Sequence, residues 1–66
     1  MIKNNIAYYC KKRGMTQREL AEKIGATEVS VSRWINGNRI PKANDALKIA
    51  KALETSVYEL FAEEDE

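Results

Sequence analysis

Residues 16–37 read TQRELAEKIGATEVSVSRWING, and this stretch decides the fold. Thr16, followed three residues later by Glu19, has the spacing of a capping box that opens a helix. Gly25 can adopt a positive φ at little cost, so it suits a sharp turn. Thr27 then supplies a second N-cap, after which another helical pattern begins. The stretch therefore predicts two short helices joined by a tight turn.

Two such helices around a glycine turn have the layout of a helix-turn-helix, whose second helix lies in the major groove of DNA. Apolar residues at helical spacing predict the buried faces of both helices. These residues are Leu20, Ala21, Ile24, Val31, Trp34 and Ile35. In the helix that follows Thr27, the side opposite these apolar residues is mostly polar. The motif thus predicts a protein that binds duplex DNA and performs no chemistry on it.

The composition excludes several classes of site. The 66 residues fit one small domain, and 44% hydrophobic residues with only three glycines and one proline favour helix. The lack of histidine and the single Cys10 exclude an intramolecular disulfide, a Cys/His zinc site and a His-dependent triad. We therefore expect no cofactor, no metal and no enzymatic activity. No signal peptide or apolar run of membrane-spanning length is visible, which predicts a cytoplasmic protein without a membrane partner.

Charge is divided unevenly along the chain. Residues 1–51 hold all eleven lysines and arginines and four acids, a net charge of +7 (11 − 4). Residues 52–66 hold six acids and no base, and their −6 brings the chain to its net +1. A basic body predicts a surface that binds a polyanion. We expect residues 1–61 to form the DNA-binding domain and residues 62–66 an acidic tail.

The segment before the central stretch predicts a first helix. It is expected from about residue 3 or 4 to Arg13, because Ile6, Tyr9 and Cys10 recur at i, i+3 and i+4. Gly14 follows where a glycine commonly ends a helix. We expect Cys10 to be a small buried hydrophobic residue rather than a redox switch.

The segment after the central stretch predicts two more helices. Pro41 excludes helix until about Ala43, and the fourth helix then runs to about Leu53. Ser56 and Glu59 have the spacing of a second capping box, which opens a short fifth helix. The expected fold is therefore all-α, a compact bundle of five helices.

The joint spacing of these motifs resembles a known family. The residues that carry the resemblance are Thr16-Gln17-x-Glu19-Leu20-Ala21, Gly25, Val31-Ser32-x-Trp34, Asn36-Gly37, Pro41, residues 46–53 (ALKIAKAL) and Leu60-Phe61. They are similar to the lambda-repressor-like helix-turn-helix family, also called the Cro or XRE family, over nearly the whole chain. The resemblance implies a lambda-repressor-like five-helix fold and sequence-specific operator binding, usually as a dimer.

The resemblance also implies roles for single positions. Gln17 would hydrogen-bond a phosphate from the start of the second helix. Glu28, Val29 and Arg33 would take the base-reading places of the third helix. Asn36 and the loop after it would contact the DNA backbone.

Three places depart from the family's pattern. Cys10 and Ile35 stand where the family often has an Arg–Glu pair, an exchange that is often neutral or stabilising, so we expect the fold to be kept. Glu54 stands where the family usually has a glycine, and a positive φ there would cost about 1 kcal/mol. Lys42 replaces a small polar cap, so we expect it to cap poorly and to contact a phosphate.

Arg33 is the sharpest candidate for base recognition. Arginine reaches guanine O6 and N7 bidentately, which is worth about 1–3 kcal/mol of discrimination. The alternatives are a phosphate contact or an ion pair with Glu28 or Glu22. Glu28 could accept a hydrogen bond from cytosine N4 or instead orient Arg33. Val29 could pack on a thymine methyl group, and the role of Ser32 is left open.

Phosphate contacts are predicted for polar residues on both sides of the third helix. These are Gln17, Asn36, Asn38, Arg39 and Lys42. Thr27 is a cap first, and we also expect its hydroxyl to donate to a phosphate. The alternative for each is an exposed polar residue without a DNA contact.

The fifth helix carries four crowded apolar residues: Val57, Tyr58, Leu60 and Phe61. One short helix cannot easily bury all four, so we expect part of this cluster to form the interface of a homodimer. The alternative is packing onto the first and fourth helices. The resulting hypothesis is a prokaryotic or phage transcriptional regulator that binds a near-palindromic operator, and repression is the favoured mode of regulation. The alternative function is an antitoxin or adaptor that acts mainly through a protein partner.

Overall fold

The computed structural model describes residues 4–62 and contains five α-helices. They are α1 (Ile6–Lys12), α2 (Gln17–Ile24), α3 (Glu28–Ile35), α4 (Ala43–Ala52) and α5 (Val57–Phe61). No strand occurs within residues 4–62, so the predicted all-α class is confirmed. All but the first residue of the predicted acidic tail lies outside the described residues.

The ends of α2 form as the sequence predicts. The Thr16 hydroxyl accepts a hydrogen bond from the Glu19 N–H at 3.0 Å, and the Glu19 carboxylate accepts from the Thr16 N–H at 2.8 Å. Gly25 ends the helix with a φ of 74°, in the left-handed region. The Thr27 hydroxyl accepts from the Ser30 N–H at 3.1 Å and opens α3. These contacts span only a few residues, which is why the local sequence suffices to predict them.

The core forms where α2 packs against α3 and α4, with α1 on α3 and α5 on α4. Its buried hydrophobic residues are Ile6, Cys10, Leu20, Ala21, Ile24, Val31, Trp34, Ala46, Ile49, Ala50, Leu53 and Leu60. The buried positions predicted for α2, Leu20, Ala21 and Ile24, are all among them. Tyr9 and Ile35 are half-buried and pack at the edge of the core. The place of the family's ion pair is thus taken by the buried Cys10 and the half-buried Ile35.

The start of α1 differs from the prediction, because the helix begins at Ile6 rather than at residue 3 or 4. The Asn4 side chain accepts a hydrogen bond from the Ile6 N–H at 3.0 Å, a local bond that competes with helix formation. Its amide also donates to the Trp34 carbonyl at 2.8 Å. The Asn5 N–H donates to the Leu60 carbonyl at 2.7 Å. These two asparagines therefore tie the N-terminal segment to the ends of α3 and α5.

The turn between α4 and α5 contains the strained backbone that was predicted from Glu54, which stands where the family usually has a glycine. Glu54 has a φ of 57° and is the one non-glycine residue with positive φ in the described part of the chain. The Arg13 guanidinium donates to the Leu53 carbonyl at 2.9 Å and to the Glu54 carbonyl at 3.1 Å. A helix leaves its last carbonyls without partners, so Arg13 acts as a cap for α4. No local pattern in the sequence predicts this long-range contact.

Helix α5 corrects two predictions. Within residues 4–62, only half of the second capping box forms. The Ser56 hydroxyl accepts a hydrogen bond from the Glu59 N–H, but the Glu59 carboxylate accepts from the Tyr9 hydroxyl at 3.4 Å instead of from the Ser56 N–H. Leu60 is 0% exposed, so it cannot belong to a dimer interface of the folded protomer. Three of the four apolar residues pack on the core, and only Tyr58, at 77% exposed, faces solvent.

Candidate nucleic-acid interface

The first turn of α2, the outer side of α3 and the turn after α3 enclose one shallow surface depression. We call it the α3 face. Its lining residues are Gln17, Glu28, Val29, Ser32, Arg33, Asn36 and Asn38. All seven were predicted as DNA-contacting residues from the sequence. The structure thus brings together residues that are up to 21 positions apart in the chain (38 − 17).

The pattern of α3 explains why these side chains face outward. Val31 and Trp34 are buried, which fixes the side of the helix that packs on α1 and α2. Residues on the opposite side then stay in solvent, and Val29 is 60% exposed. The eight residues of α3 extend about 12 Å, which matches the roughly 12 Å width of the major groove. The helix can therefore lie in that groove with the α3 face against the base edges.

The charges of Arg33 and Glu28 are not used to hold the fold together. The ion pair that forms within residues 4–62 joins Arg18 Nε to Glu22 Oε2 at 3.8 Å. Neither Arg33 nor Glu28 takes part in an ion pair in that part of the chain. Within residues 4–62, Arg33 therefore pairs with neither Glu28 nor Glu22. Both charged groups are exposed and available to a ligand.

Two hydroxyl groups near α3 are already engaged. The Thr27 hydroxyl donates to Ser30 Oγ at 3.0 Å while it accepts from the Ser30 N–H. Its capping role is confirmed, and a donation to phosphate would require it to give up the bond to Ser30. On the other side of the helix, the Asn36 amide donates to Ser32 Oγ at 3.4 Å. This contact links Ser32, which was left open by the sequence, to a predicted phosphate contact.

Three predicted residues lie outside the depression. Thr27, Arg39 and Lys42 are exposed but do not line it. Lys42 precedes α4 and makes no side-chain cap hydrogen bond, as expected of a poor cap. Arg39 and Lys42 belong to the segment that follows the depression along the chain, and both side chains are exposed.

Sequence reasoning missed Asn4 as a residue that supports this surface. Its amide donates to the carbonyl of Trp34, one of the last carbonyls of α3, which also accepts a hydrogen bond from the Gly37 N–H at 3.1 Å. The only signal was the pair Asn4-Asn5 before the first apolar pattern, because asparagine favours helix caps. The partner of Asn4, thirty residues away, could not be read from that signal.

Other kinds of site receive no support from the described residues. No group of three or more His, Cys, Asp and Glu residues that could hold a metal ion occurs within residues 4–62. Burial raises the pKa of the Cys10 thiol, which keeps it protonated and unreactive, as expected of a buried hydrophobic residue. The longest helix in this range, Ala43–Ala52, has ten residues, whereas a membrane crossing needs about 20.

Comparisons with known proteins agree with this geometry. The family described as helix-turn-helix matches residues 6–60. An uncharacterised HTH-type transcriptional regulator of Methanocaldococcus jannaschii is 31% identical over 65 residues, 98% of both chains. The transcriptional repressor RstR of the cryptic phage CTXphi in Vibrio cholerae is 36% identical over 59 residues, 89% of this chain and 53% of RstR.

A further relative is the HTH-type transcriptional regulator DicA of Escherichia coli. It is 35% identical over 65 residues, which cover 97% of this chain and 48% of DicA. This chain therefore spans about half the length of RstR and DicA and nearly the whole length of the archaeal protein.

Proposed function

The chain belongs to the helix-turn-helix family of the Cro/XRE type, and from this membership we propose a sequence-specific transcriptional regulator that inserts α3 into the major groove. Family membership makes it a DNA-binding protein rather than an enzyme. The observation that carries the finer proposal is the α3 face. Seven residues predicted to contact DNA line one depression, and its arginine has no partner among the described residues.

Base reading is assigned to the outer side of α3. Arg33 donates bidentately to guanine O6 and N7, since its guanidinium forms no ion pair within residues 4–62. Val29, an exposed branched residue one turn earlier, packs on a thymine methyl group. Gln17 approaches a phosphate at the first turn of α2, where unpaired N–H groups favour an anion.

The segment after α3 contacts the DNA backbone. Asn36 and Asn38 line the depression, and Arg39 and Lys42 follow outside it. Hydrogen bonds to phosphates set the register of α3 on the duplex without reading sequence. The two cations make the affinity fall with salt, because each phosphate that they neutralise releases a counterion.

Two copies of the chain bind one operator in this proposal. A two-fold pair would place its α3 helices in successive major grooves about 34 Å apart, which requires a near-palindromic site. Tyr58 is the strongest candidate for the contact between copies, because it is the most exposed of the large hydrophobic residues described. Val57 and Phe61 can contribute their exposed edges, whereas Leu60 cannot.

Repression by blocking polymerase is the preferred outcome of binding. One relative carries the name of a phage repressor, which supports this choice. The regulator acts where its DNA lies, in the cytoplasm of a prokaryotic cell. The acidic residues after the domain would reduce binding to non-specific DNA.

Arg33→Ala tests the proposal, with Arg33→Lys and Arg18→Ala beside it. Operators are first selected from a random duplex pool with the wild-type protein, which also gives half-site spacing and symmetry. We expect Arg33→Ala to weaken operator binding roughly 10- to 100-fold. Arg33→Lys keeps the charge but loses the bidentate fork, so it should lose operator binding while keeping most non-specific binding.

Arg18→Ala is the control, because it removes one positive charge, as Arg33→Ala does. Arg18 lies on α2, pairs with Glu22 and does not line the depression. It should bind the operator nearly as wild type does. Equal losses in all three variants would contradict base reading by Arg33. Normal operator binding and regulation by Arg33→Ala would instead favour the antitoxin or adaptor function, which does not need the α3 face.

A further inference from the structure

One acidic side chain sits on a surface that is otherwise suited to DNA. Among the described residues, 4–62, Glu28 is the only carboxylate that lines the depression, and Arg33 is the only cation there. Glu28 lies in the first turn of α3, at the end of the helix that enters the groove. It is exposed and takes no part in an ion pair within residues 4–62. The fold therefore leaves this negative charge to face the ligand directly.

A carboxylate in the major groove meets two unfavourable conditions. It lies between two rows of phosphates, which repel it, and it loses water when the groove closes over it. Only a hydrogen-bond donor on a base edge can offset this penalty. Cytosine N4 and adenine N6 are such donors, whereas guanine and thymine present only acceptors and a methyl group.

We propose that Glu28 is a specificity-determining residue that acts by exclusion. It weakens binding to every duplex in which the base edge that it reaches presents an acceptor or a methyl group, as guanine and thymine do, instead of the amino group of cytosine or adenine. It adds little to operator affinity and mainly lowers the affinity for competing DNA. This inference rests on the proposed function, and it adds a repulsive element to the attractive contact of Arg33.

The test compares Glu28→Gln with the wild type on two probes. The first is a random-sequence duplex of about 20 base pairs, long enough for two half-sites. The second is the selected operator with each of the four bases placed at every half-site position. Glutamine keeps the size of the side chain, removes the charge and both donates and accepts. Circular dichroism verifies that the exposed substitution leaves the fold intact.

On the random duplex we expect Glu28→Gln to bind about fivefold tighter at low salt, the effect of two phosphates at about 8 Å in water. The gain should shrink as salt rises, because mobile ions screen the repulsion. At one half-site position, guanine and thymine should weaken wild-type binding at least about tenfold. The same two bases should weaken Glu28→Gln binding by less than about threefold.

Glu54→Gln is the matched control. It makes the same change in net charge at an exposed residue that does not line the depression. If Glu54→Gln tightens random-duplex binding as much as Glu28→Gln does, net charge explains the gain and the inference is overturned. An unchanged affinity of Glu28→Gln for the random duplex overturns it as well. A wild-type protein that binds no duplex at all refutes the proposed function itself.

Discussion

The α3 face and the junction of α1 with the ends of α3, α4 and α5 use polar side chains in opposite ways. On the α3 face, Arg33 and Glu28 are exposed and make no ion pair with the described residues. Where α1 meets the ends of α3, α4 and α5, the polar side chains are bound to the chain itself. Asn4 bonds the Trp34 carbonyl, and Arg13 bonds the Leu53 and Glu54 carbonyls.

The side chains that stabilise the fold are therefore different from the side chains that are free to bind a ligand. A polar side chain that bonds a helix-end carbonyl stabilises the fold, since such a hydrogen bond contributes about 0.5–1.5 kcal/mol. A polar side chain without an internal partner contributes little to the fold and is free to bind a ligand. Substitutions in the two regions should therefore affect different measurements, and the following variants test that separation.

The largest effect is expected from Leu60→Ala in α5. Leu60 is fully buried, and removal of such a side chain leaves a cavity and costs about 3 kcal/mol. Urea unfolding followed by Trp34 fluorescence would measure the loss. Tyr58→Ala, on the exposed side of the same helix, should change the stability of the protomer by less than about 0.5 kcal/mol.

Sedimentation of the same pair of variants separates packing from association. Tyr58→Ala should shift the protein toward monomer, since Tyr58 is 77% exposed and available to a second copy. A Tyr58→Ala protein that is as dimeric as the wild type would remove Tyr58 from the interface. A Leu60→Ala protein as stable as wild type would contradict the buried position of Leu60.

An intermediate effect is expected from a pair of asparagines, one from each region. Asn4→Ala removes the acceptor of the Ile6 N–H and one of the two donors to the Trp34 carbonyl, which keeps its bond from the Gly37 N–H, so it should destabilise the fold by about 1.5 kcal/mol. Asn38→Ala removes an exposed side chain that lines the depression and should leave stability within about 0.5 kcal/mol.

Thermal unfolding and DNA binding distinguish these two variants. Asn4→Ala should lower Tm, yet bind the operator normally at temperatures where it is folded. Asn38→Ala should keep Tm and weaken binding to all duplexes alike, as loss of a phosphate contact does. A normal Tm with weakened DNA binding for Asn4→Ala, together with a lowered Tm and normal DNA binding for Asn38→Ala, would contradict the assignment of one region to stability and the other to DNA binding.

The smallest effect is a gain in stability from Glu54→Gly. Glycine relieves the left-handed conformation at φ 57°, and the gain of about 1–2 kcal/mol is partly offset by the flexibility of glycine in the unfolded chain. We expect a net stabilisation of about 0.7 kcal/mol by urea unfolding. Glu54→Ala removes the same carboxylate but keeps the strained Cβ, so it should show no comparable gain.

The predictable parts of the fold are those with short-range causes. The Thr16–Glu19 capping box, the Gly25 turn and the Thr27 cap were predicted and are confirmed, because each is a contact within three or four residues. The predicted α5 box formed only in half, because Tyr9, fifty residues away in sequence, offers the Glu59 carboxylate another partner. The α1 start was predicted too early because Asn4 bonds to a distant helix as well as to Ile6.

The candidate site follows the same division. The helical period placed Val31 and Trp34 inside, and their burial turns Val29 and Arg33 outward. The sequence could not decide whether Arg33 would pair with Glu28 or Glu22, because all three are close in the chain. Arg18 pairs with Glu22 instead, one turn away on α2, and leaves the α3 face with both of its charges exposed.

The sequence by itself determined the number of helices, the caps that open α2 and α3 and which side of α3 is polar, because local hydrogen bonds and apolar spacing act within a few residues. Only the tertiary structure decided which polar groups are bound to the chain and which remain free. It joined Arg13 to the end of α4 and Asn4 to the end of α3, and it buried Leu60 that the sequence had assigned to an interface. Such pairings depend on distances across the folded chain, and no local pattern encodes them.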